Sequence, residues 1–157
     1  MTKHLIEQAI PWDPIPRAAN VYMECGVVHF EQQDDEGTPV SCVVIGSLDG
    51  RGGASDEMAW RITFHGATAF RYGAIDAQRE TPLVYPTWDG AHKVACWEIA
   101  HSRWLRAAVS PEYSRPSHLH HFVIADSDVL YEVIAEWWEA SELGSWERVR
   151  SDMGLSR

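Results

Sequence analysis

The chain has 157 residues, a hydrophobic content of 45% and eight tryptophans, a composition that excludes a disordered protein. Its length matches one ordinary domain, so we predict a single domain over residues 1–157. The formal net charge of −10 argues against direct binding to nucleic acid or to an anionic membrane, because both attract Lys and Arg.

The cysteines and the N-terminal residues indicate a reducing compartment. Cys25, Cys42 and Cys96 form no CxxC pair and lie in apolar runs, where a free thiol behaves as a small hydrophobe. The first sixteen residues contain no apolar stretch of signal-peptide length, and no run approaches the ~20 apolar residues that span a bilayer. We therefore expect a cytoplasmic protein.

The first half of the chain predicts strands after an irregular, proline-rich lead-in over residues 1–16. Residues 21–31 and 40–48 are rich in β-branched and aromatic side chains and are separated by a polar turn, which favours a hairpin. Residues 58–64 alternate between large apolar and smaller or polar side chains, as in a half-buried strand. Residues 69–73 are predicted to be the antiparallel neighbour of that strand, and 74–93 to be mostly loop.

The second half predicts one more strand at 94–99, a short helix over 102–109 capped by Ser102, and a hairpin. The hairpin joins 120–125 to 129–137 through the turn 126–128. Periodicity also allows a helix over 129–139, but the β-branched residues favour a strand. Ser145 is a candidate N-cap of a terminal helix, with a frayed tail over 148–157. The fold class predicted is α+β, mainly antiparallel β (a sheet or partly open barrel) with one or two short helices.

The histidines of the SHLHHF segment are the candidate metal ligands. On a strand, His118 and His120 point to the same face, and His101 or His65 could supply a third nitrogen. Two interpretations remain open for this group, which also includes His121. One is a small metal-dependent enzyme or ligand-binding domain that uses His101, His118 and His120; the other is a set of strand-edge histidines with no ligand. No metal-binding or nucleophile motif accompanies them, so no catalytic residue and no cofactor are predicted.

The segment from 126 to 147 has an unusual charge asymmetry. It contains seven carboxylates, no Lys and no Arg, with three tryptophans among them. Aromatic side chains beside carboxylates are typical of a surface that binds a basic partner. The alternative is a solvated acidic strand edge with its tryptophans turned into the core. The candidate partner-binding residues are Asp126, Asp128, Glu136, Trp137, Trp138 and Glu139.

Three segments in order, WRITFHGATAFRYG, ACWEIAHSRWL and LHHFVIADSDVLYEVIAEW, resemble a group of small, largely uncharacterised bacterial proteins associated with toxin-immunity systems. The resemblance covers about residues 58–137. It implies a cytoplasmic protein that inhibits a cognate toxin and catalyses nothing. No functional residue is carried over from that group.

The leading hypothesis from the sequence is therefore an acidic stoichiometric binding protein, an immunity-type inhibitor of a basic toxin such as a nuclease. Its partner would be a basic protein, attracted by the acidic field. The metal-dependent enzyme or ligand-binding domain is the alternative.

Overall fold

The computed structural model describes residues 6–15, 19–22, 40–47, 57–74, 96–108, 118–125 and 129–155. Within these segments the fold is α+β and mainly antiparallel β, as predicted, with nine strands and two short helices. The strands are β1 (Gln8–Pro11), β2 (Ala19–Tyr22), β3 (Val40–Ser47), β4 (Glu57–His65), β5 (Ala69–Ala74), β6 (Cys96–Ala100), β7 (His120–Ala125), β8 (Val129–Ala135) and β9 (Trp137–Ser145). The helices are α1 (Arg103–Ala108) and α2 (Trp146–Asp152). Neither helix has the length that a membrane span requires.

The strands form two antiparallel sheets. One has five strands in the order β1-β6-β7-β8-β5, and the other has four in the order β2-β3-β4-β9. The hairpin between β7 and β8 has the predicted pairing, with Ala125 opposite Leu130 and His121 opposite Ile134. β2 pairs with β3, and β3 pairs with β4 along its whole length. Because β9 pairs only with β4 in this part of the chain, it is an edge strand.

The main hydrophobic core lies between the two sheets. Alternation places Trp60, Ile62 and Phe64 of β4 on the inner face, where they meet Phe122 of β7 and Val133 of β8. A second cluster covers the outer face of the four-stranded sheet, where Trp146 and Val149 of α2 pack on Val43, Ile45 and Ala59. A third, with Trp97 and Val123 among its members, lies on the five-stranded sheet. The structure is thus two packed sheets, with apolar residues on parts of their outer faces as well.

The predicted pairing of residues 69–73 with residues 58–64 is wrong. β5 pairs with β8 in the five-stranded sheet, whereas β4 belongs to the four-stranded sheet. Residues 66–68 therefore carry the chain from one sheet to the other. Gly66 makes this change of direction with a φ of 61°, a left-handed conformation that glycine adopts without strain.

The return crossing occurs beside this turn. β8 ends at Ala135, two residues earlier than predicted, and the chain bends at Glu136 to enter β9. The backbone N–H of Glu136 donates to the His65 carbonyl (2.9 Å), and that of Thr68 donates to the Ile134 carbonyl (2.8 Å). These hydrogen bonds hold the two crossings together and define a corner between the sheets.

Both terminal regions are more ordered than predicted. The lead-in is not irregular throughout, because β1 pairs with β6 and places Ala9 opposite Ile99. The terminal helix begins after Ser145 as predicted, but burial of Val149 anchors residues that were expected to fray. The predicted strand over 21–31 is described only for residues 21 and 22, and the loop over 74–93 and the turn 126–128 lie outside the described residues, apart from Ala74, which ends β5.

Candidate functional site

An acidic surface lies at the corner where the chain crosses between the sheets. It consists of His65, His118, Glu136, Trp137 and Glu139, which we call the acidic corner. The register between β4 and β9 builds it, because His65 lies opposite Trp137 and Thr63 lies opposite Glu139. Cross-strand partners share a face of the sheet, so Trp137 and Glu139 lie with His65 on the outer face.

The side chains of the acidic corner contact one another in a short series. The Trp137 ring stacks on the His65 ring, with 3.8 Å between centroids and 8° between planes. His65 Nε2 lies 3.1 Å from Glu139 Oε1, and His118 Nε2 lies 3.1 Å from Glu136 Oε1. Trp137 remains 50% exposed. The acidic corner therefore presents the half-exposed Trp137 ring, and in the chain this residue lies between the carboxylates Glu136 and Glu139.

The structure brings together three of the six predicted partner-binding residues: Glu136, Trp137 and Glu139. Trp138 does not share their surface. It lies opposite Phe64, on the inner face, and its ring is 4.8 Å from that of Trp12. Asp126 and Asp128 lie outside the described residues. Consecutive residues of a strand point to opposite faces, and for this reason only one of the paired tryptophans can be at the surface.

The other acidic and aromatic residues of the segment are also divided between the interior and the surface of the protein. Trp146 is buried under α2, and Glu132 is buried in the five-stranded sheet. Glu142 and Glu147 are exposed beyond the acidic corner. Two of the three tryptophans of the segment thus pack into the core, and Trp137 stays at the surface among carboxylates.

The candidate metal ligands are not brought together. Among the residues that the structure describes, no group of three or more His, Cys, Asp or Glu side chains could hold a metal ion. His118 binds Glu136, and His120 Nδ1 lies 2.6 Å from Glu98 Oε1. His101 is exposed in the turn after β6, with a φ of 58°. His118 and His120 therefore have separate carboxylate partners.

His121 belongs to a buried polar network that no sequence motif indicates. Its Nδ1 lies 2.8 Å from Ser102 Oγ, and its Nε2 lies 3.1 Å from Glu132 Oε1. Arg71 donates to both oxygens of Glu132, at 2.7 and 3.0 Å. Ser102 Oγ also accepts the backbone N–H of Leu105, which makes it the predicted cap of α1. Both ring nitrogens of His121 therefore have a polar partner inside the protein.

Ser102, His121 and Glu132 contact one another in the order found in the catalytic triads of hydrolases. Their burial, however, indicates a structural role. Ser102, His121 and Glu132 are only 2%, 1% and 7% exposed, so a substrate has no access to the serine hydroxyl in this conformation. The Trp104 ring packs edge-on to His121 and lies under the Arg71 guanidinium, 4.1 Å away. The network joins α1 to strands β5, β7 and β8.

Fold and site together define an acidic, mainly antiparallel β protein with an aromatic and carboxylate-bearing corner between its sheets. Comparison with known family models, with curated proteins and with solved structures gave no significant match. Its functional assignment therefore rests on the residues described above.

Replacing Gly66 by alanine should lower the free energy of unfolding by more than the cost of placing alanine in a left-handed backbone conformation. A Cβ at Gly66 would lie 2.5 Å from Glu136 Cγ, so Glu136 would have to move. Gly154 is the matched control, because it also has a positive φ (69°) but has no atom within 4 Å of an added Cβ. We expect Gly154→Ala to lower the free energy of unfolding by about 1 kcal/mol and Gly66→Ala by about 2–3 kcal/mol. Urea denaturation measures both, and equal losses would show that the contact with Glu136 is unimportant.

Proposed function

We propose that this chain is a stoichiometric binding protein that recognises a basic protein partner through the acidic corner. The observation that carries the proposal is the half-exposed Trp137, stacked on His65 and flanked by the exposed carboxylates Glu136 and Glu139. An aromatic anchor between charged groups is the composition of a binding hot spot. The net charge of −10 would accelerate encounter with a basic partner.

The corner is suited to a cationic side chain of the partner. A guanidinium or ammonium would lie over the exposed part of Trp137 and donate hydrogen bonds to Glu136 and Glu139 in place of His118 and His65. The stacking and hydrogen bonds of the free protein already restrict these side chains. Restriction before binding lowers the entropy lost when the complex forms.

A toxin that acts on nucleic acid is the partner we favour. Such an enzyme has a basic cleft for phosphates, and an acidic protein can occupy it with carboxylates. The resemblance of residues 58–137 to proteins of toxin-immunity systems supports the same proposal. We place the action in the cytoplasm, where the thiols of Cys42 and Cys96, both free in the structure, would stay reduced. The alternative, a metal-dependent enzyme or ligand-binding domain, receives no support from the described histidines.

The test is capture of a partner by the whole chain and by two matched variants. The corner variant is Glu136→Gln, Trp137→Ala, Glu139→Gln, and the control is Glu147→Gln, Asp152→Asn, which removes the same charge from α2. Each protein is immobilised, exposed at low salt to lysate of the source organism, and eluted with a salt step. We expect one basic protein, near one-to-one, on the wild type and the control but not on the corner variant.

Binding constants then measure the contribution of Trp137. Trp137→Ala alone should raise the dissociation constant about thirtyfold. This corresponds to a loss of about 2 kcal/mol of binding free energy, as expected for an aromatic hot-spot residue. The double variant Glu136→Gln, Glu139→Gln should slow association and reduce its salt dependence. If the captured partner bound all variants equally well, the acidic corner would not be the binding surface. If the partner cleaved nucleic acid and one equivalent of this chain did not stop it, the inhibitor assignment would be wrong.

A further inference from the structure

A groove of 360 Å³ lies between α2 and the outer face of the four-stranded sheet, apart from the acidic corner. It is lined by residues of β3, β4, β9 and α2 and of the turn that follows α2, among them Val43, Arg61, Leu143, Arg148, Val149 and Asp152. Its volume falls within the range of small-molecule sites, about 300–1,000 Å³.

The floor of the groove is apolar. Val43 and Val149 are buried members of the cluster under α2, and Leu143 and Met153 pack against the same cluster. A ligand in the groove would therefore need an apolar body of small size.

Arg148 is held at the groove by the backbone of β9. Its guanidinium donates to the Leu143 carbonyl. This close approach is possible because residue 144 is glycine: an added Cβ there would lie 2.6 Å from an Arg148 nitrogen. One donor thus fixes the guanidinium, and its other donors are available to a ligand.

Arg61 supplies a second guanidinium from β4. It lies on the outer face of the sheet, opposite Val43, and is exposed. The structure shows no ion pair or hydrogen bond between Arg61 and another described side chain. With Arg148 and the carboxylate of Asp152, the charged groups lining the groove sum to one positive charge, whereas the chain as a whole is strongly acidic.

We propose that this groove binds a small monocarboxylic acid with an apolar body. The apolar floor would take the body, and Arg61 and Arg148 would take the carboxylate through charge-assisted hydrogen bonds. Asp152 makes the site better suited to one negative charge than to two, because a phosphate monoester carries about −1.5 to −2 at pH 7. The site is separate from the acidic corner, and the proposal does not depend on the proposed function.

The test uses hexanoate as the probe, with hexanamide as its neutral analogue and monohexyl phosphate as the anion of higher charge. Each is titrated into the ¹⁵N-labelled full chain at 0.15 M salt, where the field of distant charges is screened beyond about 8 Å. We expect saturable shifts of the Leu143, Val149 and Met153 amides with hexanoate, with a dissociation constant of about 1 mM. Hexanamide should bind about tenfold more weakly, because it cannot form charge-assisted hydrogen bonds. Monohexyl phosphate should bind no more tightly than hexanoate.

Variants decide which groups recognise the anion. Arg61→Ala and Arg148→Ala should each weaken hexanoate binding about tenfold, whereas Arg103→Ala on α1, which removes the same charge elsewhere, should leave it unchanged. Asp152→Asn should tighten binding about threefold by removing a nearby like charge. Thermal unfolding confirms that each variant is folded. Equal binding of hexanoate and hexanamide, or undiminished binding in both arginine variants, would overturn the proposal, as would tighter binding of monohexyl phosphate.

Discussion

Replacing Glu132 by glutamine is expected to lower the free energy of unfolding at pH 7 by roughly 3 kcal/mol. Burial by itself raises the pKa of this carboxyl, but hydrogen bonds from His121 and Arg71 and their charges outweigh that effect and lower the pKa from 4.5 to about 2. The carboxylate is therefore more stable in the folded protein than in the unfolded chain. Glutamine removes its charge and leaves the Arg71 guanidinium, whose side chain is largely buried, without its bidentate partner.

The same substitution should change the dependence of stability on pH. Because the pKa of Glu132 is lower in the folded state, its stabilisation is fully present above about pH 5 and is lost as the pH falls towards about 2. The wild type should therefore lose its advantage over Glu132→Gln across that window. Urea denaturation at several pH values measures the difference between the two proteins.

Glu142→Gln is the control for this prediction. Glu142 lies on the exposed edge strand β9, so the same chemical change there should alter the stability by less than about 0.5 kcal/mol. If the difference between the wild type and Glu132→Gln stayed constant from pH 7 to pH 2, ionisation of Glu132 would not stabilise the fold.

Replacing Phe64 by alanine is expected to cost about 3–5 kcal/mol of unfolding free energy. Phe64 is fully buried between the sheets, with its ring 5.5 Å from Phe122 and 6.0 Å from Trp12. Strands from both sheets surround it, and hydrogen bonding within each sheet limits how far they can move to fill a cavity. The loss should therefore exceed the transfer free energy of the removed atoms.

Chemical denaturation measures this loss, with Tyr72→Ala as its control. Tyr72 is also an aromatic residue on a strand, but it is 66% exposed, so its truncation should cost less than about 1 kcal/mol. Comparable losses for the two variants would contradict the placement of the main core between the sheets.

Local patterns in the sequence predicted the elements whose neighbours are close in the chain. Alternation in residues 58–64 predicts β4, and β-branched residues on either side of a short turn predict the pairing of β7 with β8. Ser102 caps α1 as expected, through a hydrogen bond that spans only three residues. In each case, the side chains that decide the structure lie within a few residues of one another.

Pairing between distant segments could not be predicted in this way. β5 and β9 each begin within a few residues of the strand before them, but both join the sheet opposite to that strand. β9 also has the polar sequence WWEASELGS, and it becomes a strand because β4 supplies a pairing edge. Its conformation depends on a partner more than 70 residues away in the chain.

The candidate site shows the same division. Composition alone identified the acidic stretch and its tryptophans, and the charge of the chain led to the prediction of a basic partner. It could not assign Trp137 to the surface and Trp138 to the core, because that choice depends on the register of β9 against β4. Nor could it place His65 beside Trp137, or separate buried Glu132 from exposed Glu139.

The fold class, the acidic character and most local elements could be predicted, because they depend on residue type and short-range periodicity. The crossing between the sheets at Gly66, the acidic corner and the pairing of Arg71 with Glu132 became known only from the folded chain. Each of these needs side chains that are far apart in the chain to meet. Such contacts follow from strand register and from the closing of one sheet over the other, and no local pattern encodes them.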